Sequence, residues 1–176
     1  MKHLVRTLGF MLVAIAVVAS RASAQTATIH GDLLKDWAMM KDTMTKIANA
    51  MPEDKFGFKS TPVQRSFGEH VMHIAQINIM LLKAVGGKTA APDLNMKATS
   101  KAETIKEMNA SFDYGTALLN EFNNQTIQDT IQAMFLGPST RARIFVFLMG
   151  HTMDTYGQMA VYLRLNGAVP PASQRP

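Results

Sequence analysis

His70, His73, His151, Thr155 and Gln158 are the residues whose types and spacing suit chemistry. His70 and His73 stand three apart in an apolar-periodic stretch, so on a helix they share one face. His151, Thr155 and Gln158 interrupt a seam of alternating threes and fours that otherwise reads Ile144, Leu148, Tyr162, Leu165. Polar residues in the middle of an apolar stripe must find hydrogen-bond partners inside or line a cavity. Convergent imidazoles are what a divalent metal needs, which makes His73 and His151 candidate ligands and His70 a candidate third, with Thr155 and Gln158 lining the pocket. The plain alternative is that a neighbouring carbonyl or carboxylate satisfies each ring. The chain has no cysteine. That excludes a disulfide framework, a zinc knuckle and a cysteine nucleophile, so any nucleophile must be water, a hydroxyl or a group of the substrate.

These residues sit on elements that the apolar periodicity defines. A first helix is predicted through Leu33, Trp37, Met40, Met44, Ile47 and Met51, ended by Pro52. A second opens at Ser66 with Glu69 three residues on, a capping-box pattern, carries Val71, Ile74, Leu81 and Val85 on one face, and stops at Gly86-Gly87. After a polar stretch from Lys88 to Thr99, a second such pattern, Ser100 with Glu103, starts a third helix along Ile105, Met108, Phe112, Gly115, Leu119 and Phe122. Gly115 weakens that helix by roughly 1 kcal/mol relative to alanine, so close packing of a neighbour is the expected compensation. Between Asn123 and Pro138 the pattern lapses into a short turn or extended piece. The fourth helix begins near Ser139 or Thr140 and ends at Asn166-Gly167. Arg141 and Arg143 at its start read as solvated surface charge.

The fold class expected from these elements is all-α, an antiparallel up-down-up-down four-helix bundle. In that arrangement helices two and four run parallel. His73, about seven residues past its cap, and His151, about eleven past Thr140, then lie within roughly 6 Å in height and can meet.

The chain of 176 residues begins with what reads as an export signal at 1–24: Lys2 and Arg6, an apolar run from Leu8 to Ala19, and small residues at Ala22-Ser23-Ala24. The apolar run is short of the ~20 residues that span a bilayer. The expectation is an exported protein, periplasmic or secreted, with no stable membrane anchor after signal removal. Residues 25–168 form the bundle and 169–176 a disordered tail. The signal holds three of the 18 Lys+Arg and none of the 13 Asp+Glu, which leaves 15 bases against 13 acids and a net charge of +2. Without a dense basic run, nucleic acid is excluded as a partner. The methionines, 14 in all, are too scattered for a sulfur-ligated metal and read as core filler.

The segment Arg65-Ser66-Phe67-Gly68-Glu69-His70-Val71-Met72-His73-Ile74-Ala75 and the run from His151 to Asn166-Gly167 resemble the DinB-like family over nearly all of the chain that follows the signal. The resemblance implies a four-helix bundle with a long second connection. It also implies a divalent metal held by three histidines, one in helix two and a pair four apart in helix four. Position by position, His73 matches the helix-two ligand and His151 the first of the pair, while the second falls on Thr155, which does not replace imidazole. Gly157-Gln158 agrees with the glycine-glutamine that follows the pair in that family. Family members include thiol-dependent transferases and isomerases, in which the metal lowers the pKa of a substrate thiol.

Two functional readings follow. In the first, His73 and His151, with His70, hold Zn or Ni weakly and support hydrolytic or thiol chemistry on a small molecule. In the second, the protein is a metal-free helical binding protein in which Thr155 and Gln158 are hydrogen-bonding groups of a ligand pocket. A homodimer is compatible with both.

Overall fold

The structure, a computed structural model, describes residues 27–174. The signal at 1–24 lies outside the described residues. Four helices carry the fold: α1 (Ile29–Ala50), α2 (Phe67–Leu82), α3 (Lys101–Glu121) and α4 (Arg141–Leu165). A two-stranded hairpin, β1 (Thr130–Ala133) with β2 (Gly137–Thr140), precedes α4, antiparallel with Thr130 opposite Thr140 and Ala133 opposite Gly137. Among the described residues no helix is long and apolar enough to cross a membrane.

Local chemistry fixes the helix ends. The capping box at Ser66 forms in both directions, with the Ser66 N–H donating to Glu69 Oε2 at 2.5 Å and the Glu69 N–H to Ser66 Oγ at 3.2 Å. At Ser100 only half of one forms: the hydroxyl accepts from the Glu103 N–H at 3.3 Å but donates to the Glu103 carboxylate. The last carbonyls of α1 accept from Lys101 Nζ, at 2.9 Å from Asn49 O and 2.7 Å from Met51 O. Past α4, Gly167 takes φ 71°. The Ala168 N–H bonds to Leu163 O and the Gly167 N–H to Arg164 O, which closes a Schellman motif. Of the segment 169–176, residues 169–174 are described: Pro170 is buried and Pro171–Ser173 forms a 3-10 turn against α1.

The chain is an all-α bundle apart from the hairpin, but its helix order differs from the expected up-down-up-down. Pairs between α1 and α3 (His30 with Leu119, Lys41 with Asp113, Thr45 with Asn109) make those helices antiparallel. Asn78 with Ser111 and Lys88 with Glu121 make α2 and α3 parallel. Val85 with Arg141, His73 with His151 and Arg65 with Tyr162 make α2 and α4 antiparallel. The order is therefore up-down-down-up. α1 and α2 lie diagonally opposite, each packed against α3 and α4. The stretch between α2 and α3 makes this possible. Even a dozen extended residues reach about 40 Å, well beyond the ~24 Å length of α2, so the chain returns along the bundle and starts α3 beside the start of α2.

The core centres on Trp37. Its ring lies 5.0 Å from Phe112 and edge-on to Phe145 at 5.3 Å, and its Nε1–H donates to Phe112 O at 2.9 Å. Gly115 is the floor beneath it, since a Cβ there would overlap the indole Cζ2. The neighbour expected for that glycine is thus Trp37. Arg141 is not solvated surface charge: its side chain is 18 % exposed. It donates to Val85 O, Thr126 O and Asp129 Oδ2 and lies over the Phe122 ring, tying the hairpin to the end of α2.

Candidate functional site

The fourth helix presents its polar residues on two different faces. Ile144, Leu148, Thr155 and Tyr162 are buried, as the seam predicts, but Gln158 and Leu165 are exposed, and Met159 and Leu163 occupy the inward positions. A seam averaging 3.5 residues drifts by about 20° per heptad on a straight helix, so its far end rotates out to solvent. Gln158 is not part of the site; its Nε2 donates to Asp154 Oδ2 at 3.0 Å on the outer surface.

His73 from α2 and His151 from α4 meet, with Nε2 atoms 3.2 Å apart and ring centroids at 5.0 Å. They are the seventh of 16 and the eleventh of 25 residues in their helices. Both sit near mid-height, which is why they meet even though the helices are antiparallel rather than parallel. In the bare pair one Nε2–H donates to the other. His151 Nδ1 is buried without a partner. An orphaned buried N–H is the rarer and costlier state, which favours a His151 tautomer with its proton on Nε2, donating to His73.

Burial keeps these rings neutral. Desolvation, then the charge of Arg65 and the neighbouring His151 and His70, push the His73 pKa down to about 4. Burial lowers His151 as well, Arg65 adding to it and Asp154 opposing it. The same two causes, burial first and then Arg65, lower His70, against Glu69 and Asp154. At neutral pH the pair is therefore uncharged.

His70 is 2 % exposed and stands edge-on to Tyr162 at 5.2 Å, with its Nε2 buried and unpartnered. Thr155 is buried, and its hydroxyl donates to His151 O at 3.1 Å, a back-bond within its own helix. Glu69 is engaged by Ser66 and by Lys59 at 3.3 Å, and its carboxyl is held below the usual range chiefly by the Ser66 N–H. Among the described residues no three His, Asp or Glu side chains converge to hold an ion.

His73 borders an open cleft of about 340 Å³ lined also by Arg65, Glu69, Met72, Gln76 and Met96. Arg65 is exposed, and among the described residues its guanidinium makes no ion pair or hydrogen bond. Sequence reasoning did not single out Arg65 or Met96. Their only signal is position, Arg65 one residue before the α2 cap and Met96 in the crossover.

A model of the DinB superfamily matches residues 37–159, a span that holds His73, His151 and the Trp37 core. The chain belongs to the DinB superfamily. Two solved structures are similar to this DinB-superfamily chain. One is a DinB-like protein from Bacillus cereus ATCC 10987, with a TM-score of 0.67 and 18 % identity, covering 79 % of this chain and 93 % of that one. The other is a DinB-like protein from Bacillus subtilis, with a TM-score of 0.61 and 14 % identity, covering 82 % and 99 %. At these identities the likeness is one of fold. No curated protein matches the sequence.

Proposed function

We propose that this DinB-superfamily protein is exported by way of residues 1–24 and uses His73 and His151 as a weak divalent-metal site that acts on a small molecule. The observation that carries the reading is the 3.2 Å separation of the two Nε2 atoms. Two imidazoles on one tetrahedral zinc, with bonds of 2.0–2.1 Å, place their nitrogens about 3.3 Å apart. The pair fits that bite, and its rings are neutral at physiological pH.

The fit stops at two ligands. Thr155 stands where the third imidazole of the family would be, and His151 Nδ1 lacks the carbonyl or carboxylate that usually orients a ligating histidine. Weak affinity for Zn or Ni is the expected consequence. When bound, such an ion lowers the pKa of a water or a substrate thiol. The chain's own part is to hold two neutral imidazoles at mid-bundle, to keep them half-buried, and to set Arg65 at the mouth of the cleft.

Titration calorimetry with zinc on wild type, Thr155→His and His73→Ala tests this. Wild type binds weakly, Thr155→His at least tenfold tighter, about 1.4 kcal/mol, and His73→Ala in the Thr155→His background loses the gain. Equal weak binding by wild type and Thr155→His favours the second reading, a metal-free ligand-binding bundle. The observation behind that reading is the Thr155 hydroxyl already bonded within α4. Mass spectrometry of the secreted form tests export; an intact residue 1–24 segment on a cytoplasmic protein refutes it.

A further inference from the structure

The cleft beside His73 is the middle of a longer groove between α2 and the crossover segment. On one side it shares Gln76 and Met96 with a cavity of about 490 Å³ that reaches Met80, Lys83, Leu94 and Met134. On the other it shares Glu69, Met72 and Met96 with a cavity of about 380 Å³ that ends at Phe56 and Gly57. From His73 to Lys83 the groove runs about 15 Å along the helix.

Its lining mixes polar and apolar side chains, and the apolar part is adaptable. Met72, Met80, Met96 and Met134 border it, with Met96 45 % and Met134 57 % exposed. Unbranched thioether side chains suit a surface that moulds to a flexible apolar ligand. Met134 is held in the left-handed backbone region at φ 39°, the one non-glycine residue with positive φ among those described. That conformation costs a residue with a Cβ roughly 1–2 kcal/mol and tends to mark functional positions.

Charge gives the groove a direction. At the far end Lys83 and Asp93 both line the groove, one charge of each sign. At the His73 end Glu69 is engaged by Lys59 and the Ser66 N–H, so the Arg65 charge is left uncompensated. A planar guanidinium of that kind is suited to bidentate recognition of a carboxylate.

We propose that this groove binds a small amphipathic carboxylate, its anionic head at Arg65 beside His73 and its linear apolar chain along the methionines towards Met80 and Met134. The inference names the ligand class of the site under Proposed function, yet it requires no metal.

The test is a calorimetric titration of the purified protein in excess EDTA with monomeric straight-chain carboxylates from butanoate to dodecanoate. Affinity rises about fourfold per methylene while the chain lies in the groove. Decyltrimethylammonium, with the same chain and the opposite charge, binds at least tenfold more weakly than decanoate. Arg65→Gln loses at least tenfold for decanoate and nothing for decyltrimethylammonium, and Met80→Glu flattens the chain-length series. Circular dichroism melts identify any variant that has failed to fold, and Arg65→Lys, which keeps the charge but not the fork, gives a partial loss. Affinity independent of chain length, equal binding of the cationic probe, or an Arg65→Gln protein that binds decanoate normally overturns the proposal. So does attachment to phosphatidylglycerol vesicles without binding of monomeric decanoate. Because EDTA is present throughout, failure here leaves the zinc titration untouched, and a failed zinc titration leaves this result standing.

Discussion

The contact of α1 with α3 and α4 around Trp37 and the contact of α2 with α4 around His73 use the same bundle geometry in opposite ways. At Trp37 the polar atom is satisfied, the rings interlock, and a glycine clears space for the indole. At the α2–α4 contact, His70 Nε2 and His151 Nδ1 are buried without partners. Unsatisfied buried polar groups each cost about 1–3 kcal/mol. A fold that tolerates them along one helix pair must hold itself together elsewhere, and the Trp37 cluster is placed to do so. Stability thus resides in one region and chemical potential in the other. Substitutions can separate the two.

The largest effect is expected at Trp37. Trp37→Ala removes the whole indole from a site 1 % exposed, and partial collapse around it leaves a loss of about 3–5 kcal/mol in unfolding free energy, read by urea denaturation. Next is Gly115→Ala, the reverse insult. The new methyl gains up to about 1 kcal/mol of helix propensity, but it drives into the Trp37 ring, and overpacking of this kind costs about 1–3 kcal/mol. Net destabilisation with a red-shifted tryptophan emission is the expected outcome. A stabilised Gly115→Ala would show that the indole has room to move, and would weaken the contrast between the two regions.

The sequence made the seams, the caps and the Gly115 contact legible because each is local: a few residues apart on one helix, or a glycine where a large ring must lie. The helix order was not legible in that way. Periodicity is blind to direction, and the up-down-up-down expectation gave no weight to the length of the stretch from Lys88 to Thr99, which is the physical signal of a crossover. His73 and His151 meet because both lie near the middle of their helices, a property that survives reversal of either one. Gln158 was misplaced for a geometric reason, the accumulated drift of a 3.5-residue seam on a straight helix. The groove was invisible, since Arg65, Met96 and Met134 come from a loop, a crossover and a hairpin tip with no shared period.

The imidazole region also carries a pH signature that the Trp37 region lacks. The His73 pKa in the folded protein is about 4, below the ordinary 6.5 of an unfolded chain. Between these values the unfolded state binds the proton and the folded state does not, so stability rises with pH across the window. It is complete above about pH 6.5 and lost as pH falls towards 4. Solvent screening at a half-buried ring reduces the effect to about 1–2 kcal/mol. Melting temperatures between pH 7 and 4 should fall less steeply in His73→Phe than in wild type, whereas Gly115→Ala shifts the curve without changing its slope. Parallel curves for wild type and His73→Phe would mean that the ring is solvated and titrates normally.

The smallest effect has the opposite sign. His70 is 2 % exposed, donates and accepts nothing at Nε2, and rests edge-on against Tyr162. Replacing it with phenylalanine keeps a planar ring against Tyr162, removes the orphaned nitrogen, and adds apolar surface in a site already shielded from water. The gain is offset by fitting a slightly larger ring into a packed bundle, so a net stabilisation of about 0.5–1 kcal/mol is expected, in the range usual for substitutions that relieve a local conflict. His73→Phe does not share this benefit at pH 7, because it strips His151 Nε2 of the one partner it has among the described residues. Denaturation of the two variants side by side therefore asks what His70 is for. If His70→Phe is destabilising by 1 kcal/mol or more, the Nε2 atom has a partner after all, such as a bridging water or a bound ion. The ring would then belong with His73 and His151 as a working member of the site.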